Sequence, residues 1–381
     1  MNFLNRTYQD LLKYLKTGKV LVLYGARQVG KTTLLKNFLK TTPLQAKFVS
    51  GDNLKIQTIL GSREFAKIQG FCEGYQLLII DEAQNIPQIG LGLKIIVDNV
   101  PKIKVLVTGS SSFDLANQVG EPLVGRKKTL TLYPFSQAEL LQSQNKFELQ
   151  ERLAEYLIYG SYPEVILAKT KKQKIEYLLE ISEAYLFKDI LALEKIKNSQ
   201  TLMQLVQLLA LQVGSEVSLN ELANKLRISV KTVARYLDLL EKSFVLKSLG
   251  GFRSNLRRAV TQKRKYYFVD LGIRNAVINN FNSLELRADV GALWENFCFL
   301  ERTKLLEYTR KNKGQYFWRT YAKQEIDYLE EGNGKLGAFE FKWSPQPKIK
   351  IPPDFLRCYP DIKLRVINPE NYLQFVLGSE F

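Results

Sequence analysis

The sequence predicts an α/β fold that begins with a doubly wound parallel sheet. Two apolar runs, 20–24 and 76–80, have the composition of buried strands, and polar residues suited to a ligand follow each of them directly. Strand-like and helix-like segments alternate from Val20 to about Leu132, which is the order that a parallel sheet requires. Because such sheets hold ligands at the carboxyl ends of their strands, we expect both polar segments to share one site.

The loop after the first strand has the pattern Gly-x-x-x-x-Gly-Lys-Thr and precedes a helical pattern over 34–39. Its glycines allow successive backbone N–H groups to turn toward an anion, and the helix that begins near Lys31 adds its positive end. The Lys31 ammonium can reach terminal phosphates, and the Thr32 hydroxyl can bind Mg²⁺. An ordinary glycine turn is the alternative, but sequence, spacing and flanking elements all disfavour it. The predicted nucleotide-binding residues are Gly25, Arg27, Gly30, Lys31, Thr32 and Thr33.

An acidic pair, Asp81 and Glu82, ends the second apolar strand. Alone, such a pair is usually a solvated strand end, but downstream of a phosphate loop it indicates catalysis. Asp81 would hold Mg²⁺, and Glu82 would orient or deprotonate a water aimed at the γ-phosphate. A later strand over 102–108 ends in a hydroxyl-rich segment, in which Ser110 can sense the γ-phosphate; the serines can equally cap the next helix. These residues predict nucleotide hydrolysis.

The bulk composition bounds the partners and the compartment. The chain has 381 residues and a formal net charge of +17, so it can form several domains and is basic enough to favour a polyanionic partner, most commonly nucleic acid. The sequence contains no membrane-spanning apolar run, no signal-peptide core and no histidine. Its three cysteines, Cys72, Cys298 and Cys358, fit neither a disulfide framework nor a zinc knuckle. We therefore expect a cytoplasmic protein that acts without a membrane and without histidine chemistry.

Four segments together resemble a known family: the phosphate loop with Arg27, the block 77–84, the segment 108–111, and residues 125–126 ahead of 133–136. The chain is similar to bacterial and archaeal AAA+-like ATP-binding proteins that carry a winged helix and a C-terminal domain of unknown function related to restriction-endonuclease cores. The resemblance implies that the nucleotide is ATP. The absence of an Asn-Lys-x-Asp guanine signature points the same way.

The resemblance also implies that Arg126 completes the nucleotide site, in cis or in trans from a neighbouring copy. Action in trans would make the working form a homo-oligomer. A plain surface cation at this position is equally consistent with the sequence.

The expected organisation has successive parts. An AAA+-like ATPase domain over 1–135 is followed by a helical lid or connector over 136–198, a winged helix over 199–270 and a PD-(D/E)xK nuclease-like domain over 271–381. The last of these is expected to be α/β again.

A helix-turn-helix pattern occupies the predicted winged helix. Apolar residues at helical spacing share one face of its second helix, over 233–240. Two cations and a hydroxyl fall on the other side, where a recognition helix faces the major groove: Lys231, Thr232 and Arg235. Two short strands follow, joined by a basic wing suited to phosphates that contains Arg253, Arg257, Arg258, Lys263, Arg264 and Lys265. Docking of a protein, or service as a lid, is the alternative use of such a fold.

A carboxylate–lysine pattern marks the C-terminal part. In the alternating stretch 339–343 the aromatic residues share one face, and Glu340 and Lys342 share the other. Asp327 lies on the preceding strand, and Glu295 lies on an upstream helix. This arrangement is typical of PD-(D/E)xK nucleases, in which the carboxylates bind Mg²⁺ and the lysine positions or activates water. The alternatives are an ordinary salt bridge on a half-exposed sheet and a fold that binds nucleic acid without cutting it.

Together these patterns predict an ATP-hydrolysing protein that uses Mg²⁺ and engages nucleic acid, DNA more than RNA, with cleavage left open. The alternative function is a nucleotide-dependent switch or scaffold that binds proteins and has an inert cluster at Asp327, Glu340 and Lys342. Saturable nucleic-acid binding that weakens steeply with salt would distinguish the first function from the second.

Overall fold

The computed structural model describes residues 4–109, 122–183, 199–252, 264–320, 322–344 and 351–378. Ser110 and four of the predicted wing cations lie outside these residues: Arg253, Arg257, Arg258 and Lys263. The chain forms two compact units. The N-terminal unit contains residues 5–134 together with 242–244, and the C-terminal unit contains the other described residues.

A parallel sheet forms the centre of the N-terminal unit. Its strands are β1 (Val20–Tyr24), β2 (Ala46–Ser50), β3 (Leu77–Asp81), β4 (Lys104–Gly109) and β5 (Lys127–Thr131). Every neighbouring pair is parallel, in the order β2-β3-β4-β1-β5. All five residues of β1 and all five of β3 are buried, as expected for strands with both faces covered. The predicted α/β fold with a parallel sheet is confirmed.

The strand order brings the functional segments of this unit together. Helices α1 (Lys31–Thr41), α2 (Leu54–Leu60), α3 (Phe65–Cys72) and α4 (Ile89–Asn99) connect the strands. Strand β4 lies between β1 and β3, and its register pairs Thr108 with Leu23 and Val107 with Ile80. The loop after β1, the end of β4 and Asp81 at the end of β3 therefore meet at one edge of the sheet.

The C-terminal unit begins with a succession of helices. They are α5 (Gln137–Leu140), α6 (Lys146–Glu151), α7 (Leu153–Tyr159), α8 (Pro163–Leu167), α9 (Lys171–Glu183) and α10 (Ser199–Leu211). Two of the starts have a local cause, since Ser136 and Asn145 each form a reciprocal capping box, with Glu139 and Glu148 respectively.

A helix pair and a hairpin follow. The elements are β6 (Glu216–Val217), α11 (Leu219–Leu226), α12 (Val230–Lys242), β7 (Leu246–Gly251), β8 (Arg264–Phe268) and α13 (Leu271–Val277). Ser218 caps α11 by accepting the Glu221 N–H, and Ser229 accepts the Thr232 N–H at 3.1 Å at the start of α12. Strand β8 pairs antiparallel with both β6 and β7.

The last part of the chain is α/β, as expected. Its elements are α14 (Val290–Tyr308), β9 (Gly314–Arg319), β10 (Glu325–Gly332), β11 (Lys335–Phe341), α15 (Pro353–Cys358), β12 (Leu364–Ile367) and α16 (Tyr372–Leu377). Strands β7 and β9 pair in parallel through Gly250–Tyr316 and Gly251–Phe317. This pairing joins both halves into one seven-stranded sheet, β12-β11-β10-β9-β7-β8-β6. The predicted boundary at 270/271 therefore falls inside a unit with a continuous sheet.

No helix within the described ranges is both long enough and apolar enough to cross a membrane.

Candidate functional site

The backbone of the loop between β1 and α1 favours glycine at two positions. A Cβ atom on Gly25 would lie 2.3 Å from the Leu132 carbonyl oxygen, which is a forbidden distance. Gly30 has a φ of +93°, in the left-handed region that glycine tolerates best. These two positions explain the glycines of the motif: one lets the loop pass close to the end of β5, and the other turns the chain into α1.

Lys31 lies inside this loop. Its side chain is only 4% exposed, and its ammonium donates hydrogen bonds of 2.9 Å to the carbonyl oxygens of Gly25 and Ala26. A buried ammonium needs such acceptors, and phosphate oxygens are stronger ones because they carry charge. Lys31 is therefore already placed where a terminal phosphate would lie against the loop.

Asp81 is the centre of a hydrogen-bond chain at the same edge of the sheet. The Thr32 hydroxyl donates to its Oδ2 at 2.6 Å, and the Thr108 hydroxyl donates to its Oδ1 at 2.5 Å. Thr108 also accepts the Glu82 N–H at 3.0 Å. The structure thus brings together the predicted residues Thr32, Asp81 and Glu82, and it adds Thr108.

Thr108 is not among the residues predicted from the sequence. The predicted γ-phosphate sensor is Ser110, two positions further along and outside the described residues. No sequence signal identifies Thr108, because its role depends on β4 lying between the phosphate-loop strand and the acidic strand, which the order of the sheet shows.

Glu82 has a fixed main chain and a held side chain. Its φ is +51°, and a Cβ atom on Gly51 would lie 2.2 Å from its carbonyl oxygen, so this approach requires glycine at position 51. Its carboxylate Oε2 accepts a 2.5 Å hydrogen bond from the Gln84 side-chain amide. The residue is only half-buried, which leaves its carboxylate accessible to water.

These residues fit a nucleotide with Mg²⁺. The Thr32 hydroxyl and an Asp81 carboxylate oxygen, 2.6 Å apart, are oxygen donors of the kind that Mg²⁺ prefers. The glycine backbone and Lys31 supply the cradle for the phosphates. Arg27 and Thr33, also predicted to contact nucleotide, are exposed on the loop and on the first turn of α1.

Arg126 lies elsewhere in the N-terminal unit. Its backbone oxygen accepts the Val20 N–H at 2.8 Å, at the start of β1, and its guanidinium pairs with Asp98 at 2.6 Å. The phosphate loop follows the other end of β1, and a strand of five residues spans roughly 16 Å. The structure therefore does not bring Arg126 to the nucleotide site of its own chain. Of the three roles that the sequence leaves open for Arg126, which are action in cis, action in trans and a plain surface cation, this geometry does not support action in cis.

The C-terminal carboxylates and Lys342 do converge. The Lys342 ammonium lies 2.8 Å from Glu340 Oε1 and 3.8 Å from Asp327 Oδ2. Asp327 also accepts the Phe341 N–H at 2.9 Å. Burial raises the pKa of Asp327 and that of Glu340, and the negative charge of a neighbouring carboxylate adds to each rise.

Glu295 faces a lysine in this cluster. Its Oε1 accepts hydrogen bonds from Lys265 at 2.9 Å and from the Tyr267 hydroxyl at 2.6 Å. Burial raises the pKa of Glu295 to about 7, although the Lys265 charge opposes that shift. Within the described ranges, no set of three or more carboxylate or thiol groups is placed to hold a metal ion. The structure therefore does not assemble Glu295, Asp327 and Glu340 into one three-carboxylate metal site, and metal binding by Asp327 and Glu340 alone stays a prediction.

Lys265 requires a second correction. The sequence predicts that it grips phosphate from an exposed wing, but its side chain is 1% exposed and its ammonium lies 2.5 Å from Glu325 and 2.9 Å from Glu295. Burial disfavours the charged form, but the two carboxylates outweigh burial and raise the pKa of Lys265. Its neighbour Arg264 is exposed, because adjacent strand residues point to opposite faces.

The predicted groove-facing residues of α12 lie as expected from helical spacing. Lys231 and Arg235 are exposed, one turn apart, and Val233 and Leu237 are buried on the other face. The Thr232 hydroxyl lies 2.9 Å from the Ser229 hydroxyl within the helix cap, so it is already engaged.

Family models match this chain in three segments. Residues 17–141 match a family described as an AAA domain. Residues 150–284 match a domain of unknown function (DUF8612), and residues 290–377 match another domain of unknown function (DUF4143).

Curated relatives extend over most of the chain. An uncharacterised protein of Mycobacterium tuberculosis is 28% identical over 342 residues, which are 89% of this chain and 74% of the relative. An uncharacterised protein of Haemophilus influenzae is 26% identical over 316 residues, 77% of this chain and 76% of the relative. One from Methanocaldococcus jannaschii is 24% identical over 348 residues, 86% and 75% of the two chains.

The solved structures that match this chain have low sequence identity to it. A signal-transduction ATPase with numerous domains and a tetratricopeptide repeat sensor, from Pyrococcus horikoshii, is 14% identical with a TM-score of 0.31. The alignment covers 81% of this chain and 48% of that structure, so the chain spans about half of its length. A point mutant of RuvB from Thermotoga maritima is 18% identical with a TM-score of 0.28, over 60% and 82% of the two chains.

The AAA match covers the phosphate loop, the acidic pair and the end of β4. This match and the hydrogen-bond chain through Asp81 together indicate an AAA-like, ATP-binding protein.

Proposed function

We propose that this protein hydrolyses ATP with Mg²⁺ and that ATP turnover controls how its C-terminal unit engages nucleic acid. The observation that supports hydrolysis most directly is the continuous chain from Thr32 through Asp81 and Thr108 to Glu82. This chain connects the residues suited to the ion with the residue suited to the attacking water, so the two parts of the site are fixed relative to one another.

Each residue has a distinct task in this proposal. The loop N–H groups and Lys31 bind the β- and γ-phosphates, while Thr32 and Asp81 hold the ion. Mg²⁺, when bound, neutralises phosphate charge that develops during transfer. Glu82 orients a water whose oxygen bonds to the γ-phosphorus, and accepts its proton. The bond from the γ-phosphorus to the bridging oxygen breaks, giving ADP and inorganic phosphate.

Glu82→Gln is expected to lower ATP turnover by about a hundredfold to ten-thousandfold, the usual contribution of a general base. The neutral amide keeps the size and the acceptor oxygen but takes up no proton. ATP should still bind, because the phosphate cradle is untouched. Steady-state phosphate release with excess Mg²⁺, and binding of a fluorescent ATP analogue, measure the two effects separately.

The matched control is Glu73→Gln, which makes the same change at an exposed position next to α3. It should hydrolyse ATP at the wild-type rate. Equal turnover by Glu82→Gln and the wild type would exclude Glu82 as the base, and a wild-type protein that releases no phosphate in Mg²⁺ would exclude hydrolysis altogether.

The elements and exposed cations of the C-terminal unit support nucleic-acid binding. Elements α10, β6, α11, α12, β7 and β8 follow the order of a winged helix, and we propose that they form one. Lys231 and Arg235 are exposed on α12, the helix in the position of a recognition helix, and the whole chain has a net charge of +17. These cations suit a duplex DNA backbone.

Removing both cations of α12, Lys231→Ala together with Arg235→Ala, is expected to weaken DNA binding. The slope of log affinity against log salt should become shallower by roughly 0.9 for each phosphate that the protein no longer neutralises. Fluorescence anisotropy of a labelled duplex, titrated at several salt concentrations, gives the slope directly.

The pair Lys171→Ala and Lys172→Ala is the control, since it removes two exposed cations from α9. It should leave the slope close to that of the wild type. A wild-type protein that hydrolyses ATP but binds no DNA at low salt would instead support the alternative function, a nucleotide-dependent switch that binds proteins.

The C-terminal elements α14, β9, β10, β11, α15 and β12 have the order of a PD-(D/E)xK nuclease core, and we propose that fold for them. Their acidic cluster favours binding over cleavage, because Lys265 rather than a free carboxylate set faces Glu295. We also propose a homo-oligomer. Arg126 lies away from the nucleotide site of its own chain and pairs with Asp98, and in this proposal it completes the nucleotide site of a neighbouring copy.

A further inference from the structure

We infer that Gln84 is a positioning residue that aims the Glu82 carboxylate, so that the rate of ATP hydrolysis depends on the Gln84 amide. This inference rests on the proposed ATPase function and on a hydrogen bond in the N-terminal unit: Gln84 Nε2 donates to Glu82 Oε2 at 2.5 Å. Glu82 is the residue that meets the water, and Gln84 acts only through it.

The main chain of Glu82 is fixed by its surroundings. Its N–H donates to the Thr108 hydroxyl at 3.0 Å, its φ is +51°, and its carbonyl lies against Gly51, where no Cβ atom fits. The direction of its Cα–Cβ bond is therefore set. The side chain still has three rotatable bonds, so a fixed main chain alone does not aim the carboxylate.

Gln84 can supply the missing restraint because it stands on a rigid turn. The 3₁₀ turn Ala83–Asn85 has Ala83 fully buried, and Ile86, which follows it, is fully buried as well. The Asn85 side chain donates to Asp52 Oδ1 at 2.6 Å, which anchors the turn from outside. The amide of Gln84 therefore approaches the carboxylate from a fixed base.

The hydrogen bond engages one oxygen of the base, and within the described part of the chain no hydrogen bond is made to the other oxygen. A carboxylate accepts through two oxygens, and Gln84 engages Oε2. A lysine or arginine at this position would neutralise the carboxylate. A neutral amide instead directs the carboxylate and leaves its charge in place. This arrangement is suited to a residue that must stay a proton acceptor while being held in one orientation.

Gln84→Ala is the direct test, and kcat is expected to fall by roughly tenfold to a hundredfold, the range for removal of one hydrogen bond to a charged group. The Michaelis constant and the affinity for a fluorescent ATP analogue should stay within about twofold, because no phosphate ligand is removed. Gln84→Glu should hydrolyse ATP no faster than Gln84→Ala, because the new carboxylate would repel that of Glu82 at hydrogen-bond distance. Gln69→Ala, the same change at an exposed position on α3, should leave kcat unchanged.

A double substitution separates positioning from simple structural damage. When Glu82 is already Gln, adding Gln84→Ala should produce little further decrease in single-turnover ATP hydrolysis, because Gln84 acts through the missing carboxylate. A structural role would instead add its full effect in both backgrounds and would lower the melting temperature. Wild-type kcat in Gln84→Ala, or fully additive decreases, would overturn the inference while leaving ATPase function intact. A wild-type protein without ATPase activity would overturn the proposed function and the inference together.

Discussion

Lys31→Ala is expected to reduce ATP hydrolysis to background, a decrease of at least about a thousandfold, and to weaken ATP binding as well. Removing one electrostatic donor at a transition state costs about a hundredfold to a thousandfold, and Lys31 additionally shapes the loop itself. Its ammonium bonds to the carbonyls of Gly25 and Ala26, so the alanine variant lacks both the charge and the internal tie of the cradle. Phosphate release and binding of a fluorescent ATP analogue measure the two effects.

The fold should survive this change. Lys31 begins α1 and lies outside the fully buried strands that form the centre of the sheet. Circular dichroism should therefore show a wild-type spectrum and a cooperative melt. Lys36→Ala removes an exposed lysine from the same helix and should hydrolyse ATP normally. Normal turnover in Lys31→Ala would remove the phosphate-loop assignment and every conclusion coupled to it.

The phosphate loop could be predicted because the residues that bind the phosphates lie in one continuous stretch of the sequence. Gly25, Gly30, Lys31 and Thr32 are neighbours in sequence, and the flanking strand and helix are evident from apolar spacing. Asp81 could be predicted as part of the same site because it ends a second apolar strand, and polar residues follow that strand directly. The parallel sheet followed from the same alternation of elements, and the structure confirms it.

Thr108 and Gln84 show where sequence reasoning stops. Both roles depend on which strands are neighbours and on the direction of a turn. Thr108 contacts Asp81 because β4 lies beside β3 in space, although 27 positions separate the two residues. Gln84 reaches back to Glu82 because Glu82 adopts a left-handed backbone conformation, which the sequence Asp-Glu-Ala-Gln does not reveal.

The sequence places Lys265 wrongly for a different reason. In the sequence, Lys265 is the last of six cations without an intervening acid, and this pattern indicates a solvated basic loop. In the structure it is the second residue of β8, and its carboxylate partners Glu295 and Glu325 lie 30 and 60 positions further along the chain. Strand alternation turns Arg264 outward and Lys265 inward, and no local pattern distinguishes the two.

Lys265→Met is therefore expected to destabilise the C-terminal unit by about 3–5 kcal/mol at pH 8, the usual cost of removing one partner from a buried ion pair. Methionine keeps the length and apolar stem of lysine but leaves Glu295 without its counter-charge. Burial already raises the pKa of Glu295 to about 7 from an ordinary 4.5. Between these pH values the folded protein holds more protons than the unfolded chain, so the contribution of Glu295 to stability falls as pH rises. The destabilisation in Lys265→Met should accordingly be smaller at pH 5 than at pH 8, as urea unfolding at the two pH values would show.

A second substitution should repair the first. Adding Glu295→Gln to Lys265→Met removes the uncompensated charge, while Glu325 keeps Arg319 at 3.5 Å, so most of the stability should return. Lys247→Met, on the neighbouring strand β7, is the matched control and should cost little, because its side chain is only half-buried. If Lys265→Met unfolds like the wild type at pH 8, or if the double variant is no more stable than the single one, then the buried ammonium does not hold these carboxylates together.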